Sequence, residues 1–106
     1  MGFELMFYMS PLKPFQWKQV VSCLTKSTLF HAVESDRVTN GETSAAYAFE
    51  ETDRATHWPE DFYLSLEPQG LYLCFYTSTG QQEEYVTNLL TGCLLQVGIN
   101  GRFEEL

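Results

Sequence analysis

Residues 62–76 read FYLSLEPQGLYLCFY, and this stretch decides the fold class. Apolar side chains alternate with polar or tyrosine side chains on both sides of EPQG (67–70), which is the period of a β-strand. Proline at the second of those four positions and glycine at the fourth suit a type I turn. The stretch therefore predicts two strands, 62–66 and 71–76, joined as an antiparallel hairpin.

The chain before this hairpin predicts three more strands. Alternating or β-prone side chains, bounded by proline, glycine, serine or asparagine, occupy residues 3–9, 29–34 and 44–50. Residues 51–61 have no regular period and contain several charges, so they predict an exposed loop before the hairpin.

Two stretches carry apolar residues at helical spacing. Trp17, Val20, Val21 and Leu24 fall at i, i+3, i+4 and i+7, which predicts a helix over about 14–26. Apolar residues recur in the same way from Tyr85 to Val97 and predict a second helix over about 81–97. A shorter second helix ending at Gly92 is an alternative, with residues 94–97 and 102–105 then pairing as strands.

The resulting order, β-α-β-β-β-β-α with a possible short final strand, predicts an α+β fold in one domain spanning residues 1–106. About five mostly antiparallel strands would carry both helices on one face, because two helices cannot cover both faces of such a sheet. The predicted core face of the sheet consists of Phe3, Leu5, Phe7, Phe62, Leu64, Leu66, Leu71, Leu73 and Phe75.

The opposite face of the predicted sheet is rich in tyrosine. It would contain Glu4, Met6, Tyr8, Tyr63, Ser65, Tyr72, Cys74 and Tyr76. Tyrosine combines a large apolar ring with a hydroxyl that can stay in water, so this face is a candidate protein-binding surface. Two alternatives are that the tyrosines only stabilise the sheet across strands, or that they join two copies of the chain.

Charge is the strongest functional indication. The chain has 14 acidic and 6 basic residues, a net charge of −8, and 8 of its acidic residues fall between Glu34 and Asp61. Such a field attracts basic proteins and repels nucleic acid phosphates, which predicts a basic protein partner and no nucleic acid. The alternative is that the charge serves only solubility.

The sequence contains no recognisable catalytic or cofactor motif. Glycine spacing fits no phosphate-binding loop, and the acids fit no calcium loop, so neither a cofactor nor a metal is predicted. His31 and His57 have no adjacent nucleophile, and the protein is predicted not to be an enzyme.

The three cysteines are predicted to be reduced. Cys23, Cys74 and Cys93 are odd in number and show no CxxC spacing, so neither a disulfide framework nor a zinc site is expected. Cys23 and Cys93 fall on or beside the apolar helix faces, where a thiol is inert. Cys74, on the tyrosine-rich side, is the thiol to test for reactivity.

The N-terminal stretch and the hydropathy of the chain predict a soluble cytoplasmic protein. Residues 1–12 lack the basic start of a secretory signal, and no apolar run approaches the roughly 20 residues that cross a bilayer. No membrane partner is therefore expected.

An acidic loop with an aromatic centre is the second candidate binding surface. Its predicted contact residues are Glu50, Glu51, Asp53, Trp58, Glu60 and Asp61, with Tyr63, Tyr72 and Tyr76 from the tyrosine-rich face. An indole could enter a pocket of the partner while the carboxylates pair with lysine or arginine around it. The alternative is that Trp58 tucks under the loop and the acids are merely solvated.

With this acidic loop, the chain resembles in kind the small acidic immunity proteins that bacteria make against nucleases and other toxins. The resemblance implies that the carboxylates cover a basic toxin surface and block its substrate, with no catalysis by this chain. Two other functions remain open: a small-ligand-binding protein or enzyme with a pocket at His31 or His57, and a homodimeric structural protein.

Overall fold

A computed structural model describes residues 3–34, 43–50, 60–76 and 78–106. Its elements along the chain are β1 (Phe3–Tyr8), α1 (Pro14–Thr25), β2 (Phe30–Val33), β3 (Ser44–Phe49), β4 (Phe62–Glu67), β5 (Gly70–Phe75), α2 (Gly80–Gln96) and β6 (Glu104–Glu105). The predicted α+β class and element order are confirmed, and the sixth strand is the short final one.

The strands form one antiparallel sheet in the order β2-β3-β4-β5-β1-β6. The predicted hairpin is β4-β5, and its strands extend to Glu67 and Gly70, which pair with each other. A Cβ atom at Gly70 would lie 2.1 Å from the carbonyl oxygen of Phe7. Glycine is therefore required because β1 passes against the start of β5, a contact that the turn pattern could not reveal.

Both helices pack on one face of the sheet. From α1 and α2 the buried residues are Trp17, Val20, Leu24, Val86, Leu90, Cys93 and Leu94. From the sheet, the nine predicted core residues either are buried or pack against the core. The core also contains Phe30, Tyr47 and Phe49 from β2 and β3, whose rings surround Phe62 at centroid distances of 5.2 Å.

The second helix continues to Gln96, so the alternative of a helix ending at Gly92 is wrong. Its start is set by a capping box: the Thr79 hydroxyl accepts from the Gln82 N–H at 3.1 Å, and the Gln82 side chain accepts from the Thr79 N–H at 2.9 Å. Glu83 in the first turn adds a favourable charge at the positive end of the helix.

The prediction of three reduced cysteines is wrong. The sulfur atoms of Cys23 in α1 and Cys93 in α2 are joined at 2.11 Å, with the Cα atoms 5.9 Å apart. The two residues are 70 positions apart in the chain, so their proximity depends on how the helices pack and not on local spacing. Cys74 takes no part in a disulfide bond and is buried.

Neither helix in the described parts of the chain combines the length and apolarity needed to cross a membrane.

Candidate functional site

The structure separates the residues predicted for the acidic loop. Glu51, Asp53 and Trp58 lie outside the described residues, as does His57. Glu50 is exposed at the end of β3. Glu60 and Asp61, in contrast, are 0% and 1% exposed. These two carboxyl groups therefore cannot pair with a partner at an exposed surface in this conformation.

Asp61 is held inside by the backbone of the sheet. Its carboxylate accepts from the N–H of Phe49 at 2.7 Å. Its own N–H donates to the Tyr47 carbonyl at 2.8 Å, and its carbonyl accepts from the Tyr76 N–H at 2.7 Å. Asp61 thus connects the ends of β3, β4 and β5, a role that its negative charge alone does not predict.

Three predicted binding tyrosines do lie together, on the side of the sheet opposite the helices. The Tyr63 ring is 5.8 Å from the Tyr72 ring and 5.6 Å from the Tyr76 ring, measured between centroids. All three side chains are partly exposed. Strand pairing brings them together, because Tyr63 is opposite Cys74, the residue midway between Tyr72 and Tyr76. This surface is called the tyrosine face below.

Two apolar residues on the same side of the sheet as the tyrosines are buried. Met6 and Cys74, which the alternation places on the same side as the tyrosines, are only 3% and 5% exposed. Tyr8, at the end of β1, is exposed. The buried thiol of Cys74 is thus poorly placed to react with a reagent in solution.

Two hydroxyl groups on the tyrosine face donate hydrogen bonds to carboxylates. The Tyr72 hydroxyl donates to Glu4 at 2.5 Å, and the Ser65 hydroxyl donates to Glu67 at 2.7 Å. Burial raises the pKa of Tyr63 to about 12, with the neighbouring charge of Tyr76 adding to the effect. Burial, and then the hydrogen bond to Glu4, also raise the pKa of Tyr72. The phenols of Tyr63 and Tyr72 are therefore neutral near pH 7.

The charged side chains that the strands contribute to the tyrosine face are all acidic. None of the six strands contains lysine or arginine. Strand register places Glu4, Glu67 and Glu104 on the same side as the tyrosines, since their cross-strand partners are Cys74, Gly70 and Met6. The lysines of the chain lie instead in or beside α1, at positions 13, 18 and 26. Among the described residues, the strands thus contribute acids to the tyrosine face, whereas the helix side carries these lysines together with Glu83 and Glu84 of α2.

A second feature is a small cleft at the outer edge of β2, called the β2 cleft below. It has a volume of about 260 Å³ and is lined by Leu24, Thr25, Ser27, Thr28, Phe30, His31, Ala32, Tyr47 and Glu50. The Nδ1 atom of His31 is hydrogen-bonded to the Glu50 carboxylate, and both side chains are about half exposed. Tyr47, in contrast, is fully buried, and burial raises its pKa to about 12.

Among the described residues, no serine hydroxyl is shown hydrogen-bonded to His31 as a hydrolytic triad would require. Ser27 lines the β2 cleft, but its hydroxyl is hydrogen-bonded to the Tyr85 hydroxyl at 3.0 Å and accepts from the Leu29 N–H at 3.2 Å. In the described ranges, no three His, Cys, Asp or Glu residues are grouped so as to hold a metal ion.

Tyr47 and the pairing of His31 with Glu50 were missed by sequence analysis. One signal was available for Tyr47: it is two residues from Phe49, so strand alternation places it on the core face with an apolar neighbour. The pairing had no comparable signal, because the two residues are 19 positions apart on different strands.

Comparisons of the chain with protein-family models, with curated proteins and with solved structures found no match.

Proposed function

We propose that this protein binds a basic protein partner through the tyrosine face and performs no catalysis of its own. The observation that supports this proposal is the grouping of Tyr63, Tyr72 and Tyr76, partly exposed, on a strand surface whose charged side chains are all acidic. Tyrosine is enriched at the centres of protein interfaces, and a rim of one charge favours a partner of the opposite charge.

The geometry suits recognition. The Tyr63 ring lies against those of Tyr72 and Tyr76, and the Tyr72 hydroxyl is held by Glu4, so little side-chain entropy would be lost on binding.

The more specific proposal is that the partner is a bacterial toxin and that this chain is its cytoplasmic immunity protein or inhibitor. The acid-rich composition and the tyrosine face support it. The Cys23–Cys93 disulfide weighs against the cytoplasm, because disulfides persist mainly in oxidising compartments. Binding of a basic toxin outside the cytoplasm is compatible with the same surface.

The first experiment is affinity capture from bacterial extract at low salt, followed by kinetic measurement with the purified partner. We expect a basic protein whose association rate falls steeply as salt increases. Tyr72→Ala should weaken binding by about 2 kcal/mol or more, the range of an interface hot spot. Trp58→Ala tests in the same assay whether the acidic loop contributes.

Two matched glutamate variants provide the control. Glu67→Gln removes a negative charge from the tyrosine face and should slow association. Glu84→Gln removes a negative charge from the exposed surface of α2 and should leave the association rate unchanged. Binding that is insensitive to salt and equally affected by both variants would refute the proposed surface.

A further inference from the structure

A larger cavity lies where the start of α1 faces the turn between β4 and β5. Its volume is about 810 Å³, about three times that of the β2 cleft and within the roughly 300–1,000 Å³ typical of small-molecule pockets. Three prolines line it: Pro11 precedes α1, Pro14 is the first residue of α1, and Pro68 belongs to the turn. This cavity is called the proline cleft below.

The walls of the proline cleft that solvent can reach are apolar. Pro11, Pro14 and Pro68 are exposed, and Leu66 of β4 is half-buried, so all four offer apolar surface to a ligand. Trp17 also lines the cleft but is only 2% exposed, so its indole belongs to the floor. Proline rings have almost no side-chain entropy to lose, and an apolar ligand would therefore bind without ordering this wall.

The charged groups at the proline cleft favour an anion. Lys18 lines the cleft from the exposed side of α1, and it forms no ion pair with another described residue. Glu67 also lines the cleft, but its carboxylate accepts a hydrogen bond from the Ser65 hydroxyl, on the tyrosine face, at 2.7 Å. The ammonium group of Lys18 is therefore the charge available to a ligand. An ammonium group beside apolar walls matches an apolar molecule that ends in a carboxylate.

We infer that the proline cleft binds a small amphipathic carboxylate of the medium-chain fatty acid class. The aliphatic chain lies against the three prolines and Leu66, and the carboxylate pairs with Lys18 at the mouth. Removal of the aliphatic chain from water supplies most of the affinity, and the ammonium group selects the charged end. The inference goes beyond the proposed function, because the ligand needs no protein partner and contacts Trp17 and Leu66 on the helix side of the sheet.

Fluorescence of a Trp58→Phe protein tests the inference, because Trp17 is then the only indole in the chain. Titration with decanoate should give a saturable change in emission, since the Trp17 indole belongs to the floor of the cleft. Lys18→Gln should weaken decanoate binding by about fivefold, the upper range for one exposed ion pair. Lys26→Gln is the matched control and should leave binding unchanged, because Lys26 is at the other end of α1.

Two further comparisons separate the apolar wall from the charge. Decanol has the same chain without the carboxylate, so it should bind equally well with and without Lys18→Gln. Pro68→Glu replaces an apolar wall residue by an acid and should weaken decanoate binding more than Lys18→Gln does. Gln69→Glu adds the same charge at the neighbouring exposed position of the turn, outside the described lining of the cleft, and should have a smaller effect.

Three results would overturn the inference: no saturable change below the concentration at which decanoate forms micelles, equal losses in Lys18→Gln and Lys26→Gln, or equal losses in Pro68→Glu and Gln69→Glu. A loss of decanol binding in Lys18→Gln as large as that of decanoate would also overturn it, because the lysine would then not recognise the carboxylate.

Tyr72→Ala separates this inference from the proposed function. The variant should lose binding of the protein partner and retain binding of decanoate. Loss of decanoate binding in Tyr72→Ala would place the fatty acid on the tyrosine face and reject the proline cleft. Retained partner binding in the same variant would reject the tyrosine face and leave the proline cleft as an independent site.

Discussion

Asp61 illustrates how the same side chain can suggest one role by its charge and have another by its position. The residue belongs to the acid-rich stretch that predicts partner binding, yet its carboxylate bonds to the backbone N–H of Phe49 inside the protein. Phe49 is the last residue of β3 and lies beyond the Tyr47–Phe62 pair, where the pairing of β3 with β4 ends. The Asp61 carboxylate therefore supplies the acceptor for the Phe49 N–H. Asp61 therefore stabilises the sheet that carries the tyrosine face, and its buried carboxylate is not available to a partner at the surface.

This role predicts the effect of replacing Asp61. Asp61→Ala would leave the buried Phe49 N–H without an acceptor and should lower the free energy of unfolding by about 1–3 kcal/mol, measured by urea denaturation. Asp61→Asn keeps a carbonyl acceptor and should retain part of that stability. Glu84→Ala, an exposed acid on α2, is the control and should change stability by no more than about 0.5 kcal/mol. Equal effects of the two alanine variants would contradict the structural role.

At the scale of elements, the helix layer is held by both packing and a covalent link. α1 and α2 bury apolar side chains against the same sheet face, and the Cys23–Cys93 bond joins them directly. A bond that closes a loop of 70 residues restricts the unfolded chain much more than a short loop would. The tyrosine face lies on the other side of the sheet, so the bond affects stability more than the binding surface.

The disulfide leads to a prediction about both chemistry and stability. Alkylation of the unfolded, unreduced protein should modify one cysteine, Cys74, and alkylation after reduction should modify all three. Cys23→Ser combined with Cys93→Ser should lower the free energy of unfolding by up to about 4 kcal/mol in urea denaturation. Cys74→Ser is the matched single-thiol control for the alkylation count. Three modified cysteines without reduction would show that the bond is absent.

At the scale of the whole molecule, buried and partly buried tyrosines make stability dependent on alkaline pH. The pKa values of Tyr47 and Tyr63 are raised to about 12 in the folded protein, and that of Tyr72 is also raised, whereas an unfolded tyrosine titrates near 10. The folded state therefore binds these protons more tightly. Their contribution to stability is complete below about pH 10 and is lost as pH rises toward 12.

We expect the urea midpoint to be lower at about pH 11 than at about pH 8, since unfolding at the higher pH releases phenolic protons. The decrease should be smaller in Tyr47→Phe, which lacks one of these protons. Absorbance near 295 nm should show that three phenols, those of Tyr47, Tyr63 and Tyr72, remain largely protonated at about pH 11 while the protein is folded. A midpoint that is equal at both pH values would contradict this linkage.

Only part of the candidate site could be predicted from the sequence. Strand alternation correctly grouped Tyr63, Tyr72 and Tyr76, because side chains two residues apart share a face and the hairpin register follows from its turn. The acidic stretch was less informative. Net charge counts Glu60 and Asp61 with Glu50, although the first two are buried and only Glu50 is exposed.

The sequence by itself determined the element types, their order and the two faces of the sheet, because these depend on side-chain periods among near neighbours. Only the tertiary structure decided the strand order, the Cys23–Cys93 bond, the interior position of Asp61 and the β2 cleft. Each of these depends on which distant segments meet. Such contacts are set by the packing of the whole chain, and no local period records them.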